Sequence, residues 1–484
     1  MSDNHLDRRS VLLGATAIGT AGLLTKPAIA QGTPGPGQAD RPSASLPARG
    51  EFVIKNAHVL TMEHNLGELP DGDVHVRDGV IVGIGRTTRA GPDVEVIDGS
   101  NTICMPGFVE THWHLWTSCC RPLLREGNAD RAYFPVPSGL GPHYTPEDSY
   151  RSVRHGLAEA LYSGITTVHN WAHNVRSPQH ADAELRAMRD TGVRGRFSYG
   201  TPQRSSNEEP MDSADLARVQ KEWLPENPLL SLGICSRNVG NNTNQMRGAI
   251  SIEMAHRDWG AARKLGLPIT MHTSSGSPVK MLDEAGLLGR DVQLVHPLLT
   301  TPEDREILAK HRTSYSMAPL GESRRSAKVG EIQLAELLEA NVPISMSIDH
   351  IATFNCDCFN CMRTLYALHQ HRVGDAVALS PKRLVELATI DGAYDLGVGD
   401  KVGSLAPGKR ADIILVRTDA PNMAPIGDPY DALVNLAHPG NVDTVIVDGR
   451  ILRRKGEFTA LDFQQVVRDS QQTAADLAKR ANWT

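Results

Sequence analysis

The ten residues MPGFVETHWH, at positions 105–114, combine an apolar run with two histidines at its end. Side chains two positions apart project from the same face of an extended strand, so His112 and His114 point together while Trp113 points away. Two imidazoles at this spacing form a chelating pair for a metal ion. The stretch therefore predicts a β-strand that ends in two metal ligands.

Further apolar runs of strand length follow, and helical stretches separate them, which is typical of βα units around a parallel sheet. Thr145 and Thr301 each precede Pro-Glu-Asp, which predicts a capped helix start at both positions. Eight such runs match the strand number of a TIM barrel, so we predict an α/β fold with a (β/α)8 TIM-like barrel over residues 105–399. The predicted strands occupy residues 105–109, 165–169, 194–199, 230–235, 268–272, 292–296, 313–317 and 343–349.

Polar residues of metal-binding type end several of these runs. His272 ends the fifth run, His296 the sixth and Asp349 the eighth. Because the carboxyl ends of barrel strands converge on one catalytic face, we expect these residues to meet His112 and His114 there. Several imidazoles and one carboxylate match the nitrogen and oxygen ligands of a catalytic zinc site.

Short β-type runs separated by turns fill the chain on both sides of the barrel. They predict a small β-sandwich domain built from residues 51–104 and 400–457. A C-terminal helical tail is expected over residues 458–484. Residues 31–50 are rich in Pro, Gly, Ser and Ala and predict a linker.

Paired arginines, Arg8 and Arg9, precede an apolar stretch that runs to about Leu24, and small residues follow it. This order is typical of a twin-arginine signal peptide over residues 1–30, which predicts a periplasmic or secreted protein. The alternatives are a short core helix or a membrane anchor, but the stretch is shorter than the ~20 apolar residues of a spanning helix. We therefore expect no stable membrane insertion after cleavage of the leader.

The overall composition restricts the class of partner. The chain has 484 residues, of which 40% are hydrophobic and 22% charged, as is ordinary for a globular protein. A formal net charge of -6 and the lack of a long basic run give no reason to expect a nucleic acid as partner. The expected substrate is a small molecule.

Three features together resemble the amidohydrolase superfamily, and most closely its triazine hydrolases and cytosine-deaminase-like enzymes. They are the PGFVETHWH motif, the later histidines and aspartate in their order, and GSLAPGKRAD at residues 403–412. The resemblance extends from about residue 51 to about residue 457. It implies a homo-oligomer and a bound divalent metal, with zinc favoured and iron possible. The implied metal ligands are His112, His114, His272 and Asp349.

The resemblance also implies the number of metals and the catalytic roles. Members with two metals commonly carry a carboxylated lysine on the fourth strand, and residues 230–235 contain no lysine, so one metal is expected. A bound divalent metal lowers the pKa of water towards neutrality. Asp349 would accept the proton of that water as general base, and His296 would stabilise negative charge on the attacked centre.

One position departs from the related deaminases, which carry a glutamate three residues after the fifth-strand histidine. This chain has Ser275 there, and a hydroxyl is a much poorer acid–base group at neutral pH. We therefore favour hydrolysis of an amide, urea or carbamate, or of a related bond such as an aryl halide. The alternatives are a deaminase of a heterocyclic amine, with Glu322 in place of the missing acid, and a noncatalytic metal-dependent binding protein.

Four residues that follow predicted strands are candidates for substrate contact. Trp116 follows the first strand, Trp171 and His173 follow the second, and Glu322 follows the seventh. Aromatic rings and hydrogen-bonding groups at these positions would face a bound substrate. Packing within the protein is the competing interpretation for the aromatic residues.

Five of the seven cysteines follow the first and the eighth strands, which are neighbours in a closed barrel. In an exported protein, a disulfide between the two loops is one hypothesis. A second, soft-ligand metal site and buried free thiols are the alternatives. The residues concerned are Cys119, Cys120, Cys356, Cys358 and Cys361.

Overall fold

The structure is a computed structural model. The predicted leader, most of the predicted linker and Ser275 lie outside the residues that it describes. Among the described residues, no helix is both long and apolar enough to cross a membrane. The described ranges are 45–88, 91–125, 127–240, 249–273, 278–296, 298–324, 331–374 and 379–483.

Eight parallel strands form the central sheet, and each pairs with its neighbours along the chain. A single bridge between Trp113 and Asp349 links the first strand to the segment after the eighth, which brings the sheet close to a closed barrel. The predicted barrel is therefore confirmed. Its strands are Phe108–Trp113, Ile165–Ala172, Arg194–Gly200, Leu230–Ser236, Ile269–His272, Val292–Val295, Ser314–Met317 and Ile344–Met346.

The start of the first predicted strand is wrong, because the chain changes sheets within it. Thr102–Pro106 belongs to the sheet of the smaller domain, and the barrel strand begins at Phe108. Gly107 lies between them and donates its N–H to the Asp412 carbonyl at 3.1 Å. A β-carbon at position 107 would lie 2.2 Å from the Thr166 side chain, so only glycine fits at this crossing.

Helices cover the outside of the barrel, and both predicted caps are present. The Thr145 and Thr301 side chains each accept a hydrogen bond from the N3 backbone N–H and form a capping box. The α-helices are Pro135–Leu140, Pro146–Tyr162, Pro178–Thr191, Ser213–Trp223, Ile252–Lys264, Val279–Glu284, Pro302–His311, Pro319–Glu322, Leu334–Glu339, Cys358–Val373, Pro381–Leu387, Ile390–Asp395, Pro429–Asn435 and Phe463–Arg480, and the 3-10 helices are Leu115–Leu123, Ala129–Arg131, Gly141–His143 and Pro439–Asn441.

A second sheet joins the two ends of the chain, as predicted. Ile413–Arg417 pairs antiparallel with Thr102–Pro106, so that C-terminal and N-terminal strands are neighbours. Hydrogen bonds connect the strands into one continuous sheet with its own apolar core. In spatial order the strands are Glu457–Phe458, Arg450–Arg454, Val442–Val447, Ile413–Arg417, Thr102–Pro106, Glu51–Leu60, Glu68–Arg77 and Val80–Gly85, and Glu95–Asp98 pairs with Glu51–Leu60.

A buried ion pair fixes the barrel to this sheet. Arg194 starts the third barrel strand, and its Nε and Nη2 donate to the Asp412 carboxylate at 2.7 and 3.0 Å. Its Nη2 also lies 3.4 Å from Asp448 Oδ1. A guanidinium bonded at two nitrogens holds one orientation, so the pair sets how the sheet meets the barrel.

Glu184 is a buried carboxyl group behind the second barrel strand. It lies on helix Pro178–Thr191 with no exposed surface, and one carboxyl oxygen accepts a hydrogen bond from Asn170 Nδ2 at 2.8 Å. The other oxygen has no hydrogen-bond partner among the described residues. Burial raises the pKa of Glu184 to about 8, so the folded protein holds the neutral acid at pH 7.

This pKa predicts a pH-dependent contribution to stability. The ordinary pKa is 4.5 and the folded pKa is about 8, so the stabilising contribution is complete below about pH 4.5 and is lost as the pH rises through 8. One titrating group changes the free energy of unfolding by about 1.4 kcal/mol per pH unit in that interval. Glu184→Gln cannot titrate at this position. From pH 6 to pH 8, the free energy of unfolding of wild type should therefore fall by roughly 2 to 3 kcal/mol relative to that of the variant, as measured by urea unfolding. A difference independent of pH would contradict an acid group with a raised pKa.

Candidate active site

Five side chains from four strand ends meet at the carboxyl face of the barrel. The Nε2 atoms of His112 and His114 lie 3.4 and 3.2 Å from Asp349 Oδ1. His272 Nε2 lies 3.3 Å from His114 Nε2, and His296 Nε2 lies 4.0 Å from Asp349 Oδ2. Parallel strands bring residues 237 positions apart in sequence to one point, and all five predicted residues are present there.

Backbone turns aim two of these side chains into the site. His296 has a φ of 66° and directly follows the sixth strand, and Asp349 has a φ of 74° and lies three residues after the end of the eighth. Residues with a β-carbon rarely adopt this left-handed conformation, which costs about 1 to 3 kcal/mol each. Packing of the surrounding barrel must compensate this cost, as is usual for strained residues at functional sites.

The unsatisfied ring nitrogens of the cluster fit a metal ion. Both nitrogens of His112 and the Nδ1 of His114 are buried without a hydrogen-bond partner among the described residues. Buried polar atoms in proteins are nearly always paired, so these nitrogens call for a ligand. Two overlapping groups have the geometry to hold an ion, and His112 belongs to both. The groups are His112 with His114 and His272, and His112 with His296 and Asp349.

The protonation states of the cluster suit a cation. Burial lowers the pKa values of His112 and His272 well below the ordinary value, so both imidazoles are neutral at pH 7. Burial raises the pKa of Asp349, but the His112 and His114 rings, with Nε2 atoms 3.4 and 3.2 Å from its Oδ1, outweigh this effect and the pKa lies well below the ordinary value. Neutral imidazoles and an ionised carboxylate are the ligand forms that divalent metals require.

Glu322, predicted as a substrate contact, lies behind His296 and does not line the cavity. Its Oε1 accepts hydrogen bonds from His296 Nδ1 and from the Ala318 backbone N–H, both at 2.9 Å. The side chain is fully buried and is absent from the cavity walls. Because a carboxylate only accepts, His296 carries a hydrogen on Nδ1 and turns Nε2 towards Asp349. Glu322 is therefore a positioning residue for His296.

Glu322→Gln is expected to lower kcat by about 10- to 100-fold with little change in KM, because His296 loses its charged partner and its fixed orientation. The rate would be measured on a compound that the wild type hydrolyses, and bound metal would be measured in parallel. Glu303→Gln changes an exposed carboxylate that pairs with Lys280 and serves as the control. An unchanged kcat in Glu322→Gln would exclude this role.

An open cavity of about 570 Å³ lies over the cluster, and its wall is aromatic. The Tyr133 ring stacks on the His350 imidazole with centroids 3.8 Å apart and planes at 11°, and Phe354 also stacks on His350, with centroids 4.7 Å apart. The Arg324 guanidinium lies 4.5 Å from the Phe354 ring centre. Phe134, at the mouth, is 71% exposed. Flat walls of this kind accommodate a planar ring.

A second cavity of about 690 Å³ adjoins the first. Some of the predicted contact residues line these cavities, and others lie in the protein interior. His173 lines both cavities, and Trp171 lines the second. Trp116 is completely buried and lines neither cavity. Its Nε1 donates to His173 Nδ1 at 3.2 Å, which leaves His173 Nε2 facing Gln203 at 3.0 Å. Trp116 therefore orients His173 from behind.

The cysteines form no disulfide, so the hypothesis of a bridge between the two loops is wrong. All seven are free and buried. Cys119 Sγ lies 3.3 Å from Ser470 Oγ, and Cys120 Sγ lies 3.2 Å from Tyr144 Oη. The metal-binding groups among the described residues contain no cysteine. Burial raises the pKa of Cys120 to about 12, as expected for an unreactive structural thiol.

Comparison of the sequence identifies one family and its relatives. The model of the amidohydrolase family matches residues 103–452. A 5'-deoxyadenosine deaminase of Methanosarcina acetivorans is 28% identical over 450 residues, which cover 89% of this chain and 99% of that protein. A 5-methylthioadenosine/S-adenosylhomocysteine deaminase of Desulfitobacterium hafniense is 29% identical over 447 residues, covering 88% and 99%.

Solved structures share the fold over nearly the same length. An adenosine deaminase from Xanthomonas campestris with bound zinc has a TM-score of 0.76 at 23% identity, and the match covers 90% of this chain and all of that chain. A mutant atrazine chlorohydrolase from Arthrobacter aurescens in complex with zinc and atraton has a TM-score of 0.73 at 21% identity, covering 87% and 100%. The predicted resemblance and the predicted fold are thus confirmed.

Proposed function

The chain belongs to the amidohydrolase family and is a metal-dependent hydrolase of small molecules; we propose that its cofactor is a single zinc ion and its substrate a planar, ring-bearing compound with a hydrolysable carbon–nitrogen bond. The observation that carries this proposal is the five-residue cluster at the base of a cavity with an aromatic wall. A ring that stacks along that wall would hold its reactive carbon over the cluster.

The choice of one zinc ion rests on the donor set. Imidazoles with one carboxylate are the ligands that catalytic zinc sites use, with a position left for water. A second ion would require a bridging group, and the fourth strand, Leu230–Ser236, contains no lysine to supply it. His112, His114, His272 and Asp349 would hold the ion, and His296 would face the reacting atoms. Iron is the alternative metal with the same ligand preferences.

The chain's own residues supply the proton transfers. A bound metal would lower the pKa of water and polarise the attacked group. Asp349 would accept a proton at a carboxylate oxygen and return it to the leaving nitrogen. His296, with its Nδ1 held by Glu322, would turn Nε2 towards the negative charge that develops on the attacked centre. Tyr133 and His350 would exclude water from one side of the ring.

Two classes of carbon–nitrogen bond fit this arrangement. Hydrolysis of an amide, urea or carbamate needs only the metal and Asp349, which agrees with a serine at position 275. Deamination of an amino-substituted ring is the second candidate, because relatives that match over nearly their whole length are named as deaminases of adenosine compounds. It requires an acid for the ring nitrogen, and the carboxylate of Glu322 is already bonded to His296. We favour the first class.

A panel assay would test the function and separate the candidates. Ring-bearing amides, ureas and carbamates, adenosine compounds, and chlorinated and amino-substituted triazines would be incubated with zinc-loaded protein, and ammonia, amine, chloride and ring products would be measured. Release of an amine or an acid from the amides, ureas or carbamates, with no ammonia released from the amino-substituted rings, would support the first class. Ammonia release from adenosine compounds would establish the deaminase instead. Protection of the protein by a compound without any product would favour the noncatalytic binding protein.

Export and self-association complete the proposal. A twin-arginine leader at Arg8 and Arg9 would carry the folded, metal-loaded protein to the periplasm or beyond, which requires no disulfide and agrees with seven free cysteines. Fractionation of cells that express wild type or an Arg8→Lys, Arg9→Lys variant would test this route, since the variant should stay in the cytoplasm. Light scattering of the purified protein would test the homo-oligomer.

A further inference from the structure

The barrel closes at the place where three of the five cluster residues lie. The first and eighth strands are the two ends of the sheet, and the Trp113–Asp349 bridge is the one backbone pairing between them in the described part of the chain. The His114 N–H donates to the Asp349 carbonyl at 2.8 Å, and the Asp349 N–H donates to the His112 carbonyl at 3.1 Å. The spacing of these residues thus depends on this short junction between the first strand and the end of the eighth, which we call the barrel seam.

Two side chains of the first strand supplement this seam. Thr111 Oγ1 donates to the Met346 carbonyl at 3.1 Å and accepts from Ser345 Oγ at 2.9 Å. Glu110 bonds to backbone N–H groups on both sides. Glu110 lies on the first strand with no exposed surface. Its Oε1 accepts the His112 N–H at 2.9 Å, and its Oε2 accepts the Ile348 N–H at 2.8 Å. The bond to Ile348 connects residues 238 positions apart in sequence. The two bonds reach the backbone of one cluster histidine and of the residue before Asp349.

The regular sheet pairing is interrupted where Glu110 acts. Pairing of the first strand with the second shifts register between Glu110 and Trp113, and the eighth strand ends at Met346, before Ile348. A left-handed turn follows at Asp349, whose φ is 74°. Glu110 is therefore a buried carboxyl group whose two oxygens accept backbone N–H groups where the regular strand pairing is missing, next to the strained Asp349.

We propose that Glu110 is a positioning residue for the metal centre, which clamps the barrel seam and thereby sets the separation of His112 and Asp349. The inference rests on the proposed metal site, since its consequence is the affinity and geometry of that site. Each oxygen of Glu110 faces an N–H donor, so glutamine cannot replace it, because its amide nitrogen would oppose one of the two donors. The seam would then lose one of the two hydrogen bonds that Glu110 accepts.

Glu184→Gln is the matched control for Glu110→Gln. Both glutamates are completely buried, and Glu184 accepts a hydrogen bond only at one oxygen among the described residues. Its other oxygen opposes no N–H donor, so an amide fits there. Loss of a buried glutamate as such would affect both variants equally. Loss of the clamp would affect only Glu110→Gln.

Zinc affinity and the cobalt spectrum test the proposal. Metal-free wild type, Glu110→Gln and Glu184→Gln would be titrated with zinc against a chelating dye, and the absorption of the Co²⁺-loaded proteins would be recorded. We expect Glu110→Gln to bind zinc about 10- to 100-fold more weakly and to show a changed Co²⁺ spectrum, whereas Glu184→Gln matches wild type. Equal affinity and equal spectra in all three proteins would overturn the role of Glu110.

Two further results keep this test decisive. If wild type binds no zinc, the metal site itself is wrong, whereas failure of Glu110 alone leaves that site intact. If Glu110→Gln does not fold, amide hydrogen exchange of metal-free wild type replaces it. The His112 and Ile348 amides should then exchange as slowly as amides within the barrel strands, and exchange as fast as in exposed loops would overturn the clamp.

Discussion

His112→Gln is expected to weaken zinc binding by at least ~100-fold and to abolish hydrolysis. His112 belongs to both groups that can hold an ion, and neither of its buried ring nitrogens has a hydrogen-bond partner among the described residues. Structural zinc sites with four ligands bind with about 10 to 16 kcal/mol, so the loss of one ligand corresponds to roughly 3 kcal/mol. Elemental analysis after dialysis against a weak chelator would measure the loss.

His169→Gln provides the comparison for this variant. His169 is equally buried, but its Nδ1 and Nε2 bond to the Thr111 carbonyl and to Ser198 Oγ, both at 2.7 Å. Its nitrogens are already satisfied within the barrel, so replacement should affect stability and leave zinc binding close to that of wild type. Comparable zinc loss in both variants would mean that the barrel interior as a whole, and not His112 as a ligand, determines metal binding.

Asp349→Asn is expected to lower kcat by about 10²- to 10⁴-fold, because an amide oxygen can bind a metal but cannot accept the proton of the attacking water. The variant should retain more zinc than His112→Gln, since the histidines that hold the ion remain. The kcat and the zinc content would be measured on the same preparation.

Asp357→Asn is the control for the aspartate. The Asp357 side chain accepts the Asn360 N–H at 2.9 Å and caps helix Cys358–Val373, a role that asparagine fills equally well. Its kcat should equal that of wild type. An Asp349→Asn variant with full zinc and wild-type kcat would show that another group accepts the proton.

The barrel and the cluster could be predicted because local and global signals agree in this sequence. Each apolar run has strand length, and four of the runs end in a residue that binds metals, so His272, His296 and Asp349 identify both the strand ends and the site. Parallel strands then bring those ends to one face. Position 107 shows the limit of such patterns, since an apolar run does not reveal that the chain changes sheets within it.

Residues that act through distant contacts could not be predicted in this way. Glu110 bonds to Ile348, and Tyr133 stacks on His350, but no periodicity relates the members of either pair. The Tyr133 loop has no regular pattern, so its place in the cavity wall is set by tertiary packing alone. Trp116 and Glu322 were predicted at the correct end of the barrel, but only their hydrogen bonds to His173 and His296 place them behind the cavity.

Metal content and its restoration test the central claim most directly. Purified wild type would be analysed for metals, stripped with a chelator, assayed on the panel, reloaded with zinc and assayed again. We predict about one zinc ion per chain, loss of hydrolysis on stripping and its return on reloading. Protein that contains no metal, binds none on titration and keeps its activity after stripping would contradict the account.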